Sequence, residues 1–306
     1  MRVLVSGASG LVGGALVPAL VADGHEVARL VRRAARAPDE IAWQPEREAL
    51  DPAALAGRDA VVHLAGESIA AGRWTKARRA GIRNSRVATT RLLAETLTRS
   101  SAAPRILVCS SAVGYYGDRG DEVLTEASGP GHGFLADVVR EWEAAAERAV
   151  HAGVRVVHLR QGMVLSARGG ALTPLLRLFR AGLGGPLASG SQWVSWITLA
   201  DLVDAIRRAL ADQGFEGAVN AVAPGSVRQR DFARTLGRAL GRPAWFPAPA
   251  LALRIVLGEM GKELLLFSQR VEPARLLAAG HSFRYPELSA ALGGVLREDL
   301  PAAARA

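Results

Sequence analysis

Lysine is almost missing. Of the 38 basic side chains in this 306-residue chain, 36 are arginine, and Lys76 and Lys262 are the only lysines. Chemistry that needs an ammonium group must therefore use one of those two positions. Cysteine is as scarce. Cys109 stands alone, so no internal disulfide can form, and no Cys/His spacing suits a metal. The expectation is no metal and a reducing, cytoplasmic setting. Aromatic residues are 5% of the chain. No apolar run approaches the ~20 residues of a membrane span, and Arg254 interrupts the most apolar late stretch, 248–258. The N-terminus runs directly into Arg2–Ser6, with no basic n-region, long apolar core or cleavage site of a secretion signal. A basic tail is absent too. The net charge of +9 comes from arginines spread along the chain and interleaved with acids. Dispersed surface charge accounts for that pattern, and anionic small-molecule phosphates are compatible with it. Nucleic-acid association has the charge alone in its favour, and a flat salt dependence of binding would remove it. The expected partner is a small-molecule substrate, with no nucleic acid or membrane.

What is present is an alternation. Short, continuous, β-branched runs at 2–6, 26–31, 59–65, 105–111 and 154–160 read as strands buried on both faces. Helical segments at 11–23, 74–100 and 134–151 lie between them, with Gly24 and Gly153 where helix C-caps belong. This βαβ rhythm predicts an α/β fold with a doubly wound parallel Rossmann sheet. After Arg160 the rhythm changes. A glycine-rich stretch brackets a short helix near 173–181, and a helix over 199–211 carries Thr198 and Asp201 at capping-box spacing. Residues 217–223 read as a strand, and Ser226 with Gln229 as a second capping box for a helix ending at Gly241. The last 60 residues read as helices broken by prolines. The expected division is a dinucleotide-binding domain of residues 1–166 with 194–224. A smaller, mostly helical C-terminal substrate lobe takes 167–193 with 225–306.

Gly7-Ala-Ser9-Gly10-Leu11-Val12-Gly13 follows the first strand and opens the first helix. The first glycine permits the tight turn, the second lets backbone approach a pyrophosphate, and the third lets helix pack on strand. The helix N-terminus then offers free N–H groups to phosphate. An NAD site usually places an acid about 20 residues further on, for the ribose 2′-hydroxyl. The second strand ends here in Arg32-Arg33. Two guanidiniums attract a 2′-phosphate that a carboxylate would repel. NADP is the expected cofactor.

Together with His63-Leu64-Ala65-Gly66 and Ser110-Ser111, this loop resembles the extended short-chain dehydrogenase/reductases. More narrowly, the chain resembles their branch of "epimerase family proteins" along essentially its full length. The likeness rests on Leu64–Glu67, Arg73-Trp74, Ser85-Arg86, Tyr115-Tyr116-Gly117 and Trp142-Glu143. It continues through Gly162–Leu165, Ser195–Ile197, Asn220, Ala223-Pro224 and Val271-x-Pro273. The resemblance implies that Leu64, Ala65 and Gly66 lie against the adenosine and ribose, with Glu67 beside them. It also implies that Arg86 faces the cofactor, that the segment after Arg160 meets the nicotinamide, and that the chain is a monomer or a homodimer pairing through long helices.

Members of that superfamily usually combine a Ser or Thr at the end of the fifth strand with a later Tyr-x-x-x-Lys. The lysine lowers a phenol pKa that is otherwise about 10. Ser110 and Ser111 are present; the dyad is not. Setting the tyrosine on Phe134 places Val138 at the lysine position, and shifting by one gives Leu135 and Val139. None of Tyr115, Tyr116 and Tyr285 has a lysine four residues on. Two readings follow. In one, the chain is an NADP(H)-dependent oxidoreductase or epimerase of a small polar, sugar-like or nucleotide-linked substrate, with Ser111, Tyr116, Ser110 and Tyr115 as catalytic candidates. In the other, it binds NADP(H) without turnover, as a sensor or regulator. Tyr115 and Tyr116 read equally well as packing aromatics, and Gln192, Trp193 and Trp196 read either as the lining of a substrate pocket or as packing of the lobe, with packing favoured for the tryptophans.

Overall fold

A computed structural model describes residues 1–298. Its centre is one seven-stranded sheet. In chain order the strands are β1 (Arg2–Ser6), β2 (Glu26–Val31), β3 (Glu40–Ala42), β4 (Ala60–His63), β5 (Ile106–Ala112), β6 (Arg155–Gln161) and β7 (Gly217–Ala221). Across the sheet they run β7-β6-β5-β4-β1-β2-β3, all parallel. The order reverses between β1 and β4, and a crevice at the carboxyl ends of the strands opens at such a reversal.

Strand periodicity sorts the side chains into two layers. Val3, Val5, Val62, Val108 and Leu159 face Leu16 and Leu20 of α1 (Leu11–Ala22). The same layer includes Leu202 and Ile206 of a helix at Leu199–Ala211. On the other face Leu4, Val61, Leu107 and Val156 meet Leu92, Leu93 and Leu97 of α2 (Lys76–Arg99) and Ala146 of α3 (Phe134–Glu147). Both faces are covered, which is why the strands read as continuous apolar runs.

A further apolar cluster gathers Leu172, Leu176 and Phe179 of α4 (Leu172–Arg180), Trp196, Phe232 and Leu236 of a helix at Gln229–Ala239, and Leu292. Trp196 is fully buried and its indole N–H donates to the Gly225 carbonyl at 2.8 Å, so this tryptophan is packing. Gln192 is held the same way, its amide donating to the carbonyls of Leu187 and Leu265.

Several sequence expectations need adjustment. The Thr198–Asp201 box forms: Thr198 Oγ1 accepts from Asp201 N at 3.1 Å. The Ser226–Gln229 box does not. Val227 and Arg228 are drawn into a two-residue antiparallel pair with Trp193 and Val194, so the helix starts after Arg228 with no side-chain cap. Ser226 Oγ instead donates to the Val271 carbonyl, and Gln229 Oε1 accepts from Leu187 N. The 134–151 segment is α-helical only to Glu147 and finishes as a 3₁₀ turn over Arg148–Ala152. The fourth strand stops at His63, because Leu64 onward leaves the sheet toward the crevice. Strand β3 went unread; three residues behind a proline give too little pattern.

Candidate functional site: the crevice at the sheet reversal

The turn after β1 is built from close backbone approaches. Gly7 has φ +70, and a Cβ on it would lie 2.7–2.9 Å from the backbone of Leu64 and Ala65. A Cβ on Gly13 would lie 2.3 Å from the Gly7 carbonyl oxygen. Only glycine fits at either place. Gly10 is the N-cap of α1 and supplies no side-chain cap. The first N–H groups of the helix, at Leu11, Val12 and Gly13, are therefore left for an outside acceptor, at the positive end of the helix dipole. Ser9 lies in the same turn. This cradle fits a dinucleotide pyrophosphate.

Beyond β2 the two arginines differ. Arg32 is 69% exposed, with Glu46 at 4.0 Å as its ion partner. Arg33 grips Glu40 with both Nη atoms, at 2.7 and 2.6 Å. Glu40 is buried and also accepts from Arg36 N. The Arg33 guanidinium and that N–H hold its carboxyl down at about 2. An acid is thus present beside the second strand after all. It arrives from β3, and its charge is already matched.

The loop after β4 brings Leu64, Ala65, Gly66 and Glu67 beside the cradle. Leu64 N donates to Ser6 Oγ and to the Ser6 carbonyl. Arg86 on α2 meets this loop: Nη2 donates to the Glu67 carbonyl at 2.9 Å, and the guanidinium lies over the Trp142 ring at 5.3 Å. Burial pulls Arg86 down to about 10, so it stays charged at neutral pH. Glu67 itself is ion-paired with Arg78 at 2.8 Å. Under the loop, His63 is wholly buried between Ser6 Oγ at 2.6 Å and Thr90 Oγ1 at 2.9 Å.

The end of β5 carries the serines, on opposite faces of the strand. Ser111 Oγ donates to Glu143 Oε1 of α3 at 2.6 Å. Glu143 is also clasped by Arg160 of β6 at 2.9 and 2.8 Å. Arg160 Nη1 donates to the Tyr116 hydroxyl at 3.1 Å, and that hydroxyl has Asn220 Oδ1 at 2.7 Å and the Thr125 carbonyl at 3.0 Å as acceptors. Tyr116 is fully buried, and burial raises its pKa despite Arg160. Its proton, like that of Ser111, is committed inside the protein. The neighbours differ. Ser110 Oγ accepts from Gln161 Nε2 at 2.7 Å, and no acceptor holds its own proton among the described residues. Tyr115 lies with its ring 3.5 Å from the Arg160 guanidinium carbon, and no hydrogen bond engages its hydroxyl among the described residues.

The start of α3, where the dyad would sit, is filled differently. Phe134 is buried against Trp74, with the Arg79 guanidinium 4.5 Å over its ring. Val138 and Val139 are buried as well. Glu263, from the C-terminal part of the chain, accepts from Phe134 N and Leu135 N and caps the helix. Sequence reading assigned no role to Glu143, Gln161, Glu263 or Glu40. Glu143 and Asn220 stood in the resembling stretches, so their presence was visible while their partners were not. Trp193, the other tryptophan in question, is half-buried between the guanidiniums of Arg228 and Arg270, 4.2 and 4.6 Å from its ring.

The chain belongs to the NAD dependent epimerase/dehydratase family, whose model matches residues 3–221. A second match, to a domain of unknown function (DUF1731), covers 248–294. An epimerase family protein of Mycobacterium bovis is 42% identical over 291 residues, spanning 95% of this chain and 96% of that one. The crystal structure of the human epimerase family protein SDR39U1 with NADPH superposes with TM-score 0.90 at 39% identity, over 98% of this chain and all of that one. A structure described as a nucleoside-diphosphate sugar epimerase from Corynebacterium glutamicum has TM-score 0.81 at 39% identity, covering 97% of this chain and 58% of that one. The sheet and crevice described above are the NAD(P)-binding fold of this family.

Proposed function

We propose that the protein is an NADP(H)-dependent oxidoreductase or epimerase acting on a small polar, sugar-like or nucleotide-linked substrate. The observation that carries the cofactor is the Gly7–Gly13 cradle with its uncapped helix start; the human relative crystallised with NADPH supports the same choice. Gly7, Ser9, Gly10, Leu11, Val12 and Gly13 hold the pyrophosphate. Leu64, Ala65, Gly66 and Glu67 flank the nucleoside, with Arg86 bracing that loop. Arg32 meets the 2′-phosphate, with Arg33 adding its field from the Glu40 clasp. When bound, the nicotinamide supplies a hydride donor or acceptor.

The protein contributes two uncommitted hydroxyls. Ser110, polarised by the Gln161 amide, donates to a substrate oxygen, and Tyr115 is placed to give or take the second proton. Ser111 and Tyr116 hold the Glu143–Arg160 pair beneath them. In an NADPH-oxidation assay over a carbonyl panel, Ser110→Ala and Tyr115→Phe should each lower kcat by about a hundredfold at unchanged NADPH affinity. Ser111→Ala and Tyr116→Phe should act mainly on stability. If the serine order is reversed, the catalytic assignment fails. The committed protons of Ser111 and Tyr116 favour one second reading, an NADP(H) sensor. Tight NADPH binding with no turnover on any substrate would establish it.

A further inference from the structure

We propose that the face formed by residues 177–187 and 242–257 docks on the surface of an anionic phospholipid bilayer. Among the described residues, most of the large exposed hydrophobic side chains are on this face. They include Leu183, Trp245, Phe246, Leu251, Ile255 and Val256, with Trp245 80% exposed. The helix Ala250–Leu257 has no buried residue at all. The two segments are joined by backbone hydrogen bonds from Phe246 N to Gly184 O, from Ala248 N to Pro186 O and from Ala188 N to Ala248 O, which puts their exposed apolar residues on adjoining chain segments. Monomeric proteins rarely expose such an apolar face without a partner.

The charge of this face identifies the partner. No Asp or Glu occurs between residues 163 and 200 or between 232 and 258, yet these stretches hold seven arginines, most of the chain's net charge of +9. Exposed arginines sit among the apolar residues: Arg177 adjoins Leu178, Arg242 precedes Trp245 by three, and Arg254 lies between Leu251 and Ile255. A two-fold contact with a second copy would bring two patches of the same sign together, with no acid in either stretch to pair the arginines. A protein partner would have to supply acids to match the arginines, while Leu251, Ile255 and Val256 project from an unburied helix and Leu183, Trp245 and Phe246 from the segments beside it. An anionic bilayer meets both conditions. Its interface accepts protruding Trp, Phe and Leu without a preformed pocket, and its phosphates pair with arginine. The expectation of no membrane partner rested on spanning length, which does not bear on surface contact.

The test is co-sedimentation of the full-length protein with vesicles of phosphatidylcholine alone and of phosphatidylcholine with phosphatidylglycerol in a two-to-one ratio. Binding should require the anionic lipid and fall as salt is raised. Arg177→Gln, Arg242→Gln and Arg254→Gln combined should weaken it about a hundredfold, at roughly fivefold per guanidinium. Trp245→Ala with Phe246→Ala should weaken it about tenfold or more, with the thermal midpoint and NADPH affinity unchanged. Absence of binding to the anionic vesicles overturns the proposal. So does equal binding to the neutral ones, or a dimer in light scattering that the Trp245→Ala/Phe246→Ala variant dissolves.

Discussion

The turn after β1 and the turn after β5 both lie at the carboxyl ends of central strands, yet they are built on opposite plans. After β1 the backbone acts. Side chains are removed at Gly7 and Gly13 because carbonyls approach within 3 Å of where they would stand, and the helix start is left with donors unfilled. After β5 the side chains act, mostly on one another. Ser111, Glu143, Arg160, Tyr116 and Asn220 form a continuous buried chain of hydrogen bonds. The first turn is organised to receive a ligand, the second to be rigid. The cradle is thus left open at its backbone donors, while the hydroxyls of Ser111 and Tyr116 are engaged within the protein.

Breaking the first turn should give the largest effect. Gly13→Val drives a side chain into the Gly7 carbonyl and forces apart the turn that aims the N–H donors, and NADPH affinity should drop by about a hundredfold or more in a fluorescence titration. Unchanged affinity would place the cofactor elsewhere.

Breaking the second turn should appear in stability first. Arg160 and Glu143 have side chains 5% and 12% exposed. Glu143→Gln strands the guanidinium and should cost about 3 kcal/mol in urea unfolding. Glu143→Leu combined with Arg160→Met should recover most of that loss. A change within about 0.5 kcal/mol would mean the pair behaves like a solvated one.

His63 sharpens the contrast through pH, since it lies beneath the first turn and accepts no proton easily. Burial pushes it down to about 4. The unfolded chain takes up that proton below about 6.5, so stability is complete above that pH and is lost as pH falls toward 4, by up to about 3 kcal/mol. Unfolding midpoints between those values should show the slope, and His63→Asn should flatten it.

The smallest effect concerns the arginines after β2. Arg32→Ala should reduce the preference for NADPH over NADH about tenfold, and Arg33→Ala less, because Glu40 already takes the Arg33 fork. Equal losses would show that Arg33 leaves Glu40 when cofactor binds.

Much of this was legible. Continuous β-branched runs gave the strands because both sheet faces are covered, and the glycine spacing identified the cradle because its demands are local. The Ser226–Gln229 cap failed for the reason that Thr198–Asp201 succeeded. A cap depends on the next three residues only if no other element claims them, and Trp193-Val194 claimed Val227-Arg228. Strand β3 and Glu40 escaped notice because three edge residues carry no period.

By itself the sequence determined two things: a dinucleotide loop after the first strand, and the impossibility of a Tyr–Lys dyad in a chain with two lysines. The first is set by local backbone sterics and the second by composition, and folding alters neither. Tertiary structure decided which hydroxyls keep a free proton. Ser110 and Ser111 are adjacent in sequence but face opposite sides of a strand. The acceptors that separate their roles, and those of Tyr115 and Tyr116, come from Glu143 and Asn220, 32 and 104 residues away. Only packing brings such partners together, so only the fold could assign the protons.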